Sequence, residues 1–439
     1  MKDSKEFWTS ESQMFYDRDK IVSCNENYIK DEKGKEYLDL NSGTWNVFFG
    51  HSRPEYNNAI NEQLKNLEYI PNIRFRHSSG DLLAHRLLSY LPNTYAHVYF
   101  TSGGAEAVET AIKLARGHFY EKGEKGKRRV ISLYESYHGS TLGAMSASGD
   151  PWDRIPFDPL LKDTLKIYPQ YCYKCRLGLK KEHCNYACLK DLEYQINFYS
   201  AENICALILE PIMGVGGVII PDEKWLKGVV DLCHKNNIIV IFDEISSGSG
   251  RTGNLFACQS YNIYPDIILF GKGISNGVQP LAGAIVSEEI FNSFISPERE
   301  NQFRHGFTNS GHPVACACGN VTLDIIEKEN ILEVVKQKEK EFKEILEQLK
   351  NKNYIGEIRI KGLMIAIELL NPKTSNELNI PDFDIILRND GLIASQMCQV
   401  VCFMPSVCTT KEQIQKGLDI LCKNVEKYLM ETDDEDIKK

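Results

Sequence analysis

Two uninterrupted apolar runs stand out in the hydrophobic pattern of the chain. Residues 237–243 have the sequence Asn-Ile-Ile-Val-Ile-Phe-Asp, and residues 265–270 have the sequence Pro-Asp-Ile-Ile-Leu-Phe. Such runs are typical of parallel strands buried on both faces, whose carboxyl ends open into a ligand crevice. Asp243 ends the first run and Lys272 follows the second, so we expect a carboxylate and an amine at one edge of a sheet.

The rest of the pattern predicts a large and a small domain. From residue 71 to residue 330, strand-like and helical patterns alternate, which is typical of an α/β domain built from crossover units. A charged amphipathic helix over 331–350 leads into strands expected near 357–369 and 400–404. The predicted organisation is an N-terminal segment of the small domain at 1–70, a large domain at 71–330 and a C-terminal small domain at 331–439.

Composition narrows the class of protein. At 439 residues the chain is long enough for one large and one smaller domain. Its net charge of −9 disfavours nucleic acid or an anionic membrane as the main partner. No apolar run approaches the roughly 20 residues of a membrane span, and residues 1–8 lack the apolar core of a signal peptide. Fourteen cysteines without a secretion signal favour reduced thiols, so we expect a cytoplasmic protein.

Glycines and polar side chains also follow other predicted strands. Residues 101–105, Thr-Ser-Gly-Gly-Ala, open a helix, and glycine amides at a helix N-terminus can cradle a phosphate. Tyr137 follows the strand pattern at 129–133 and could stack on a flat cofactor. Glu210 ends another buried run ahead of a glycine-rich loop. Taken singly, each feature is equally compatible with a turn, a core tyrosine or a solvated loop end.

Asp243 and Lys272 together point to a particular cofactor. Pyridoxal phosphate (PLP) requires a lysine that forms a Schiff base with it and a carboxylate that keeps its pyridine nitrogen protonated. The expected position of both residues at one sheet edge meets that requirement.

Seven segments in register make the chain resemble the class III (ω-type) aminotransferases of PLP fold type I. The segments are Gly43-Thr-Trp45, Gly-Gly-Ala-Glu-Ala at 103–107, Tyr137-His-Gly139, Glu210-Pro, Asp243-Glu through Gly253, Lys272-Gly-Ile-Ser-Asn-Gly277 and His305 through Ala315. The resemblance implies a large α/β domain with a mainly parallel seven-stranded sheet, and a smaller α+β domain formed by the N- and C-terminal segments. It also implies a homodimer whose active site is shared between subunits.

The resemblance assigns roles to individual residues. Lys272 forms the Schiff base and moves the proton between substrate and cofactor, Asp243 pairs with the pyridinium nitrogen, and Tyr137 covers one ring face. The amides of Gly104 and Ala105 bind the phosphate. The other residues implied to contact the cofactor are Ser102, Gly103, His138, Glu210, Ile245, Ser246 and, from the partner subunit, Thr308.

Three positions depart from the family pattern. Ser246 stands where many members carry glutamine, and Ala105 stands where a serine hydroxyl is common. Trp45 matches an aromatic residue of the substrate pocket, but Ser395 aligns with a mobile arginine that binds the α-carboxylate of the substrate in many ω-amine enzymes. Serine cannot replace a guanidinium fork, so either another arginine takes this role or one substrate lacks an α-carboxylate. The candidate arginines are Arg53, Arg74, Arg76 and Arg304.

A cysteine-bearing insert lies between the predicted strands. Cys172 and Cys175 are followed by Cys184 and Cys188, with His183 beside the second pair. Two close cysteine pairs have the spacing of a structural zinc or iron–sulfur site. Four reduced thiols are the alternative, because the connector between the pairs is shorter than in a usual zinc ribbon.

The sequence therefore predicts a PLP-dependent aminotransferase. It would move an amino group between an amino donor and an aldehyde or ketone by ping-pong chemistry, with a small-molecule or carrier-bound substrate. The alternative within the same family is a PLP-dependent amino-acid racemase or epimerase.

Overall fold

The structure is a computed structural model that describes residues 19–437; at 152, 153, 299 and 433–437 it describes the backbone alone. Three β-sheets organise the described chain. In chain order the strands are β1 (Ile21–Asn25), β2 (Tyr28–Asp31), β3 (Glu36–Asp39), β4 (Tyr95–Thr101), β5 (Arg129–Leu133), β6 (Thr164–Ile167), β7 (Ile204–Leu209), β8 (Ile239–Asp243), β9 (Ile267–Phe270), β10 (Ala282–Ser287), β11 (Ile355–Lys361), β12 (Met364–Leu369), β13 (Leu392–Ile393), β14 (Ser395–Met397) and β15 (Val400–Phe403).

The central sheet has seven strands in the order β4-β10-β9-β8-β7-β5-β6. The neighbours from β9 to β6 pair in parallel, whereas β10 runs antiparallel to both β4 and β9. Every residue of β7 and β8 is buried, as the continuous apolar runs predict. The predicted α/β class with a mainly parallel seven-stranded sheet is therefore confirmed.

The hydrophobic pattern did not single out strands β6 and β10 of this sheet. The sequence of β10, Ala-Gly-Ala-Ile-Val-Ser, opens with small residues that weaken a strand pattern. A glycine is required at position 283, because a Cβ there would lie 2.5 Å from the Tyr99 carbonyl oxygen on the neighbouring strand.

Two smaller sheets join the ends of the chain. β13 pairs in parallel with β3, so the N-terminal and C-terminal segments share the sheet β1-β2-β3-β13. The third sheet has the order β11-β12-β15-β14. The single stretch predicted at 357–369 is a hairpin of β11 and β12 that turns at Gly362, whose φ is +57°. The domain boundaries at 70 and 330 stay a prediction.

Helices cover both faces of the central sheet. The helix Glu223–Lys235 is capped by Asp222, whose side chain accepts a hydrogen bond from the Trp225 amide. The predicted helix at 331–350 is an α-helix to Leu346 and then a 3₁₀ turn. The other helices and helical turns are Pro54–Asn66, Ser78–Ser89, Gly104–Glu121, Leu142–Ala147, Pro151–Arg154, Ile155–Phe157, Ala187–Tyr199, Ala201–Asn203, Cys258–Tyr261, Lys272–Ser275, Glu288–Asn292, Arg299–Asn301, Pro313–Lys328, Phe383–Asn389 and Lys411–Ile437. Within residues 19–437, no helix combines the length and the apolar character needed to cross a membrane.

Candidate active site

Three charged side chains meet where neighbouring strands of the central sheet end. Glu210 directly follows β7, Asp243 ends β8 and Lys272 follows β9. These strands lie side by side, so their carboxyl ends share one edge. Glu244 does not join them, because its buried carboxylate accepts a hydrogen bond of 2.8 Å from the Cys258 amide.

Lys272 sits between a hydroxyl and an aromatic ring. Its Nζ donates a hydrogen bond of 2.7 Å to Ser246 Oγ and lies 4.6 Å from the centre of the Trp45 ring. Burial lowers the pKa of Lys272 to about 8, although the charges of Asp243 and Glu210 act in the opposite direction. A lysine with this pKa supplies neutral, nucleophilic amine close to neutral pH.

The backbone at Lys272 is strained. Its φ of +47° lies in the left-handed region, which costs a residue with a Cβ roughly 1–2 kcal/mol. Such conformations persist where the surrounding structure imposes them, and they cluster at functional sites.

Asp243 is held by a buried histidine. Its Oδ2 lies 2.7 Å from His138 Nδ1, and its Oδ1 accepts a hydrogen bond of 3.1 Å from the Ile245 amide. His138 Nε2 is buried and has no hydrogen-bond partner among the described residues. Each carboxylate oxygen can accept more than one bond, so Asp243 retains the capacity to accept from a protonated ring nitrogen.

Glu210 joins two loops of the site. Its Oε1 accepts a hydrogen bond of 3.1 Å from the Tyr137 amide, and its Oε2 accepts one of 2.8 Å from the Gly214 amide. Burial raises the pKa of Glu210 to about 7, with a smaller raising effect from Asp243 and a lowering one from His138. Tyr137 itself is half-buried, and its hydroxyl lies 3.2 Å from Ser140 Oγ.

The predicted phosphate turn opens onto free space. Gly103 precedes the helix Gly104–Glu121, and no side chain of the described residues caps that helix end. A Cβ at Gly103 would meet no atom of residues 19–437 within 4 Å, whereas one at Gly104 would lie 3.0 Å from Ile245 Cδ1. The first-turn amides of a helix lack partners within the helix, so this end can bind an anionic phosphate. Ser102 lies at the same turn, where its amide donates to Glu106 Oε2.

The phosphate turn also touches the Tyr137 loop. A Cβ at Gly139 would lie 2.6 Å from the Cβ of Ala105, so only glycine allows the two segments to approach so closely. The arrangement of an open helix N-terminus, a half-buried aromatic ring, a carboxylate and an amine fits PLP.

Trp45 stands on a left-handed turn. The φ angles of Ser42, Gly43, Thr44 and Trp45 are all positive, between 44° and 66°. Asp39 accepts hydrogen bonds from the amides of Asn41 and Gly43, and buried Arg251 donates one of 3.0 Å to the Trp45 carbonyl oxygen. These contacts hold the indole over Lys272.

Asn41 is a residue of the site that the sequence did not reveal. Its Oδ1 accepts hydrogen bonds of 2.9 Å from Trp45 Nε1 and 2.7 Å from Ser395 Oγ. Ser395, the position aligned with the mobile arginine, therefore lies beside the indole that covers Lys272. The available signal was weak: Asn41 is four residues before Trp45 and two residues after the end of β3.

Within the described chain, the four candidate arginines are paired with carboxylates or face solvent. Arg53 is paired with Glu55 and Glu329. Arg76 is paired with Asp81, and Arg74 and Arg304 are exposed. No ion pair or hydrogen bond among residues 19–437 ties these four side chains to Trp45 or Lys272.

Thr308 is not brought to the phosphate turn of its own chain. It is exposed, and its carbonyl oxygen accepts a hydrogen bond of 2.9 Å from the Tyr69 hydroxyl. Among the described residues it makes no hydrogen bond to residues 102–105.

The four cysteines of the insert lie around one cavity of about 310 Å³, together with His183. They are free thiols. Among residues 19–437, no group of three or more His, Cys, Asp or Glu side chains is arranged to hold a metal ion. The described residues therefore give the predicted metal site at Cys172, Cys175, Cys184 and Cys188 no support.

Comparisons with known proteins agree with this site. The family model for "Aminotransferase class-III" matches residues 10–425. An adenosylmethionine-8-amino-7-oxononanoate aminotransferase of Methanocaldococcus jannaschii is 36% identical over 80% of this chain and 79% of its own length. An omega-amino acid–pyruvate aminotransferase of Pseudomonas putida is 33% identical over 82% of each chain.

A solved structure has the same architecture. An amine transaminase from an uncultivated Pseudomonas species, crystallised in a PLP-bound form, superposes with a TM-score of 0.89 at 30% identity, covering 95% of this chain and 98% of its own. The related proteins named here are aminotransferases, and none favours the racemase alternative. The chain belongs to the class III aminotransferases and is a PLP-dependent transaminase.

Proposed function

We propose that the protein moves an amino group from an amine donor to an aldehyde or ketone acceptor in two half-reactions that use one site in turn. The observation that carries this proposal is the position of Lys272: its amine, with a pKa lowered to about 8, faces Trp45 and shares a sheet edge with Asp243. When bound, PLP supplies an electron sink for charge at the substrate carbon and stores the amino group between the half-reactions.

Each residue of the edge has a task in this proposal. Lys272 Nζ holds the cofactor and then, once released, carries the proton at the substrate carbon. The hydrogen bond to Ser246 Oγ fixes the position of that amine. Asp243, oriented by its contact with His138, would accept a hydrogen bond from the protonated ring nitrogen. Tyr137 covers one face of the ring.

The remaining cofactor contacts surround this edge. Gly103, Gly104 and Ala105 direct amides of the open helix N-terminus at the phosphate. Glu210 and Ile245 would border the ring, because Glu210 accepts from the Tyr137 amide and Ile245 lies next to Gly104.

We infer that at least one substrate lacks an α-carboxylate. The wall next to Trp45 carries the neutral groups of Asn41 and Ser395 in place of a guanidinium. A carboxylate buried against them would lack a charged partner, which is unfavourable. A neutral amine or carbonyl group, free or carried on a larger molecule, suits this wall.

We propose a homodimer in which Thr308 reaches the phosphate turn of the partner subunit. Thr308 is exposed in its own chain, and a large apolar side chain is exposed near each of the two loops concerned, Ile73 (81% exposed) and Leu142 (65%). Exposed apolar side chains of this kind mark interaction surfaces when they are contiguous. A metal ion at the cysteine insert is not part of the proposal, and the cytoplasmic location stays a prediction.

Replacing Lys272 tests the central claim. Lys272→Ala should bind PLP only non-covalently and should lose at least about 10²–10⁴-fold in turnover, because the group that carries the proton is gone. The measurement is steady-state transamination together with the visible spectrum during titration with amines. Lys224→Ala, an exposed lysine, is the control and should behave as wild type. Substantial residual transamination by Lys272→Ala would contradict the assignment.

The lowered pKa of Lys272 predicts how cofactor uptake depends on pH. The neutral amine attacks the cofactor aldehyde, so the uptake rate of cofactor-free protein should rise with pH through a midpoint near 8. The Glu210 charge raises the pKa of Lys272, so Glu210→Gln should move the midpoint to lower pH, whereas the exposed Glu223→Gln should not. Stopped-flow absorbance provides the rates. A midpoint near that of a free lysine would refute the buried-amine explanation.

Installing the missing guanidinium tests the substrate class. Wild type should use amines without an α-carboxylate at least as efficiently as α-amino acids. Ser395→Arg should shift the ratio of kcat/KM toward α-amino acids by about 10-fold or more, the effect of a charged bidentate contact. Ser395→Lys, which adds charge without the fork, should shift the ratio less. A wild type restricted to α-amino acids in both half-reactions would contradict the inference.

Subunit mixing tests the shared site. Lys272→Ala and Thr308→Asp subunits should each be inactive alone, the second because its carboxylate repels the phosphate. If Thr308 serves the partner's site, random mixing creates one intact site in each heterodimer and restores about a quarter of wild-type activity. Absence of recovery in verified heterodimers would show that Thr308 acts in its own subunit or not at all.

A further inference from the structure

A buried arginine outside the cofactor site holds one of the loops that form it. Arg359 on β11 is 8% exposed, and its Nε and Nη2 donate hydrogen bonds of 2.9 and 2.7 Å to the Gly217 carbonyl oxygen. Gly217 has a φ of +102°, and a Cβ there would lie 3.2 Å from Arg359 Nη2. Glycine at this position therefore permits the close approach of the guanidinium.

The turn to which Arg359 donates its hydrogen bonds contacts Glu210 and Trp45. We call these two side chains the Glu210–Trp45 wall of the active site. The amides of Gly217 and Val218 donate to the Gly214 carbonyl oxygen, at 2.9 and 3.1 Å. The Gly214 amide donates to Glu210 Oε2 at 2.8 Å. A Cβ at Gly214 would lie 2.5 Å from Cζ3 of Trp45. The turn at 214–218 thus fixes the Glu210 carboxylate and supports the Trp45 indole.

The other face of Arg359 is occupied by the cysteine insert and β12. Arg359 Nη1 donates a hydrogen bond of 3.0 Å to the Tyr171 hydroxyl, which itself donates to Oε1 of Glu368. Glu368 is fully buried, lies 3.3 Å from Arg359 Nη2 and 3.2 Å from Lys174 Nζ. Lys174 belongs to the insert, residues 172–188, and Tyr171 directly precedes it, so this segment supplies both a hydroxyl and a cation to the buried network.

A second contact joins the insert to the opposite loop of the site. Arg176 Nε donates a hydrogen bond of 2.6 Å to Glu135 Oε1. Glu135 is two residues before Tyr137, and its φ is +65°. The insert therefore contacts both loops that end on the Glu210 carboxylate, one through Arg359 and one through Glu135.

We propose that Arg359 is a positioning residue for the Glu210–Trp45 wall and that the insert, through Tyr171, sets its alignment. This inference rests on the proposed function insofar as the wall belongs to the substrate pocket. Tyr171 links the two charged residues of the network, because its hydroxyl accepts a hydrogen bond from Arg359 and donates one to Glu368. Within residues 19–437, no hydrogen bond or ion pair joins the network to Lys272, Asp243 or the phosphate turn, so its disturbance should affect substrate binding more than the chemical step.

Tyr171→Phe tests the link between Arg359 and Glu368. It removes one hydroxyl and keeps the ring, which lies 5.0 Å from the Arg359 guanidinium. Tyr173→Phe is the matched control, because Tyr173 is a neighbouring, more exposed tyrosine of the same insert that makes no hydrogen bond among the described residues. Arg359→Lys is a second variant that keeps the charge but loses the fork on Gly217.

Two readouts test the proposal on the full-length protein. Hydrogen–deuterium exchange of peptides covering 210–219 should be faster in Tyr171→Phe and Arg359→Lys than in wild type and Tyr173→Phe, since the Gly214, Gly217 and Val218 amides lose their fixed partners. In steady-state kinetics, the amine KM should rise about 10-fold, the effect of one hydrogen bond to a charged group, while kcat changes less than about threefold.

The outcomes separate this proposal from the proposed function. Faster exchange confined to 210–219 together with a raised KM supports it. Exchange in Tyr171→Phe equal to that in Tyr173→Phe overturns the link between the insert and the wall, as does a raised KM without that change. Faster exchange with unchanged KM overturns the positioning role. A wild type that turns over no amine defeats the proposed function, whereas the exchange result still decides whether the link exists.

Discussion

The removal of the Lys272 amine from water is the constraint on which the site depends. An ammonium group is costly to desolvate, so the protein lowers its pKa to about 8 and at the same time places two carboxylates nearby that limit the shift. Three adjacent parallel strands make this possible, because their carboxyl ends bring Glu210, Asp243 and Lys272 to one edge. The same burial raises the pKa of Glu210 to about 7, so it shifts the pKa values of the carboxyl group and the amine in opposite directions.

The turn that places Trp45 over Lys272 has a strained backbone. Trp45 covers Lys272 from a turn of four residues with positive φ, a conformation that costs residues with a Cβ roughly 1–2 kcal/mol each. Asp39 accepts a hydrogen bond from the Gly43 amide and buried Arg251 donates one to the Trp45 carbonyl oxygen, and these bonds offset that cost. The guanidinium of Arg251 is itself satisfied by the carbonyl oxygens of Trp45, Met404 and Pro405, so the C-terminal segment stabilises the turn beside Lys272.

The sequence predicts the buried strands well and the side-chain partners poorly. The runs ending at Asp243 and before Lys272 are apolar throughout, so they identify two neighbouring strands without further information. Adjacent strand residues point to opposite faces, yet the apolar pattern alone does not distinguish Asp243 from Glu244, which binds backbone amides instead; the family resemblance is what assigned the role to Asp243. Strand β10 escaped prediction because packing against Tyr99 requires a glycine that weakens its pattern. Asn41 escaped because its role depends on Ser395, 354 residues away.

Large separations in sequence also explain why the partners of the insert residues could not be predicted from the sequence. The cysteine spacing of the insert led to the prediction of a metal site, but the residues with definite partners are Tyr171, Lys174 and Arg176, which lie between and beside the thiols. Each partner comes from a distant segment, Glu368 from β12 and Glu135 from the loop before Tyr137. A buried ionic group gains little stability over apolar packing but is strongly unfavourable when left unpaired. The insert is therefore constrained by Glu368 and Arg359, which it must complete, and it is linked to the active-site loops through Arg359 and through Glu135.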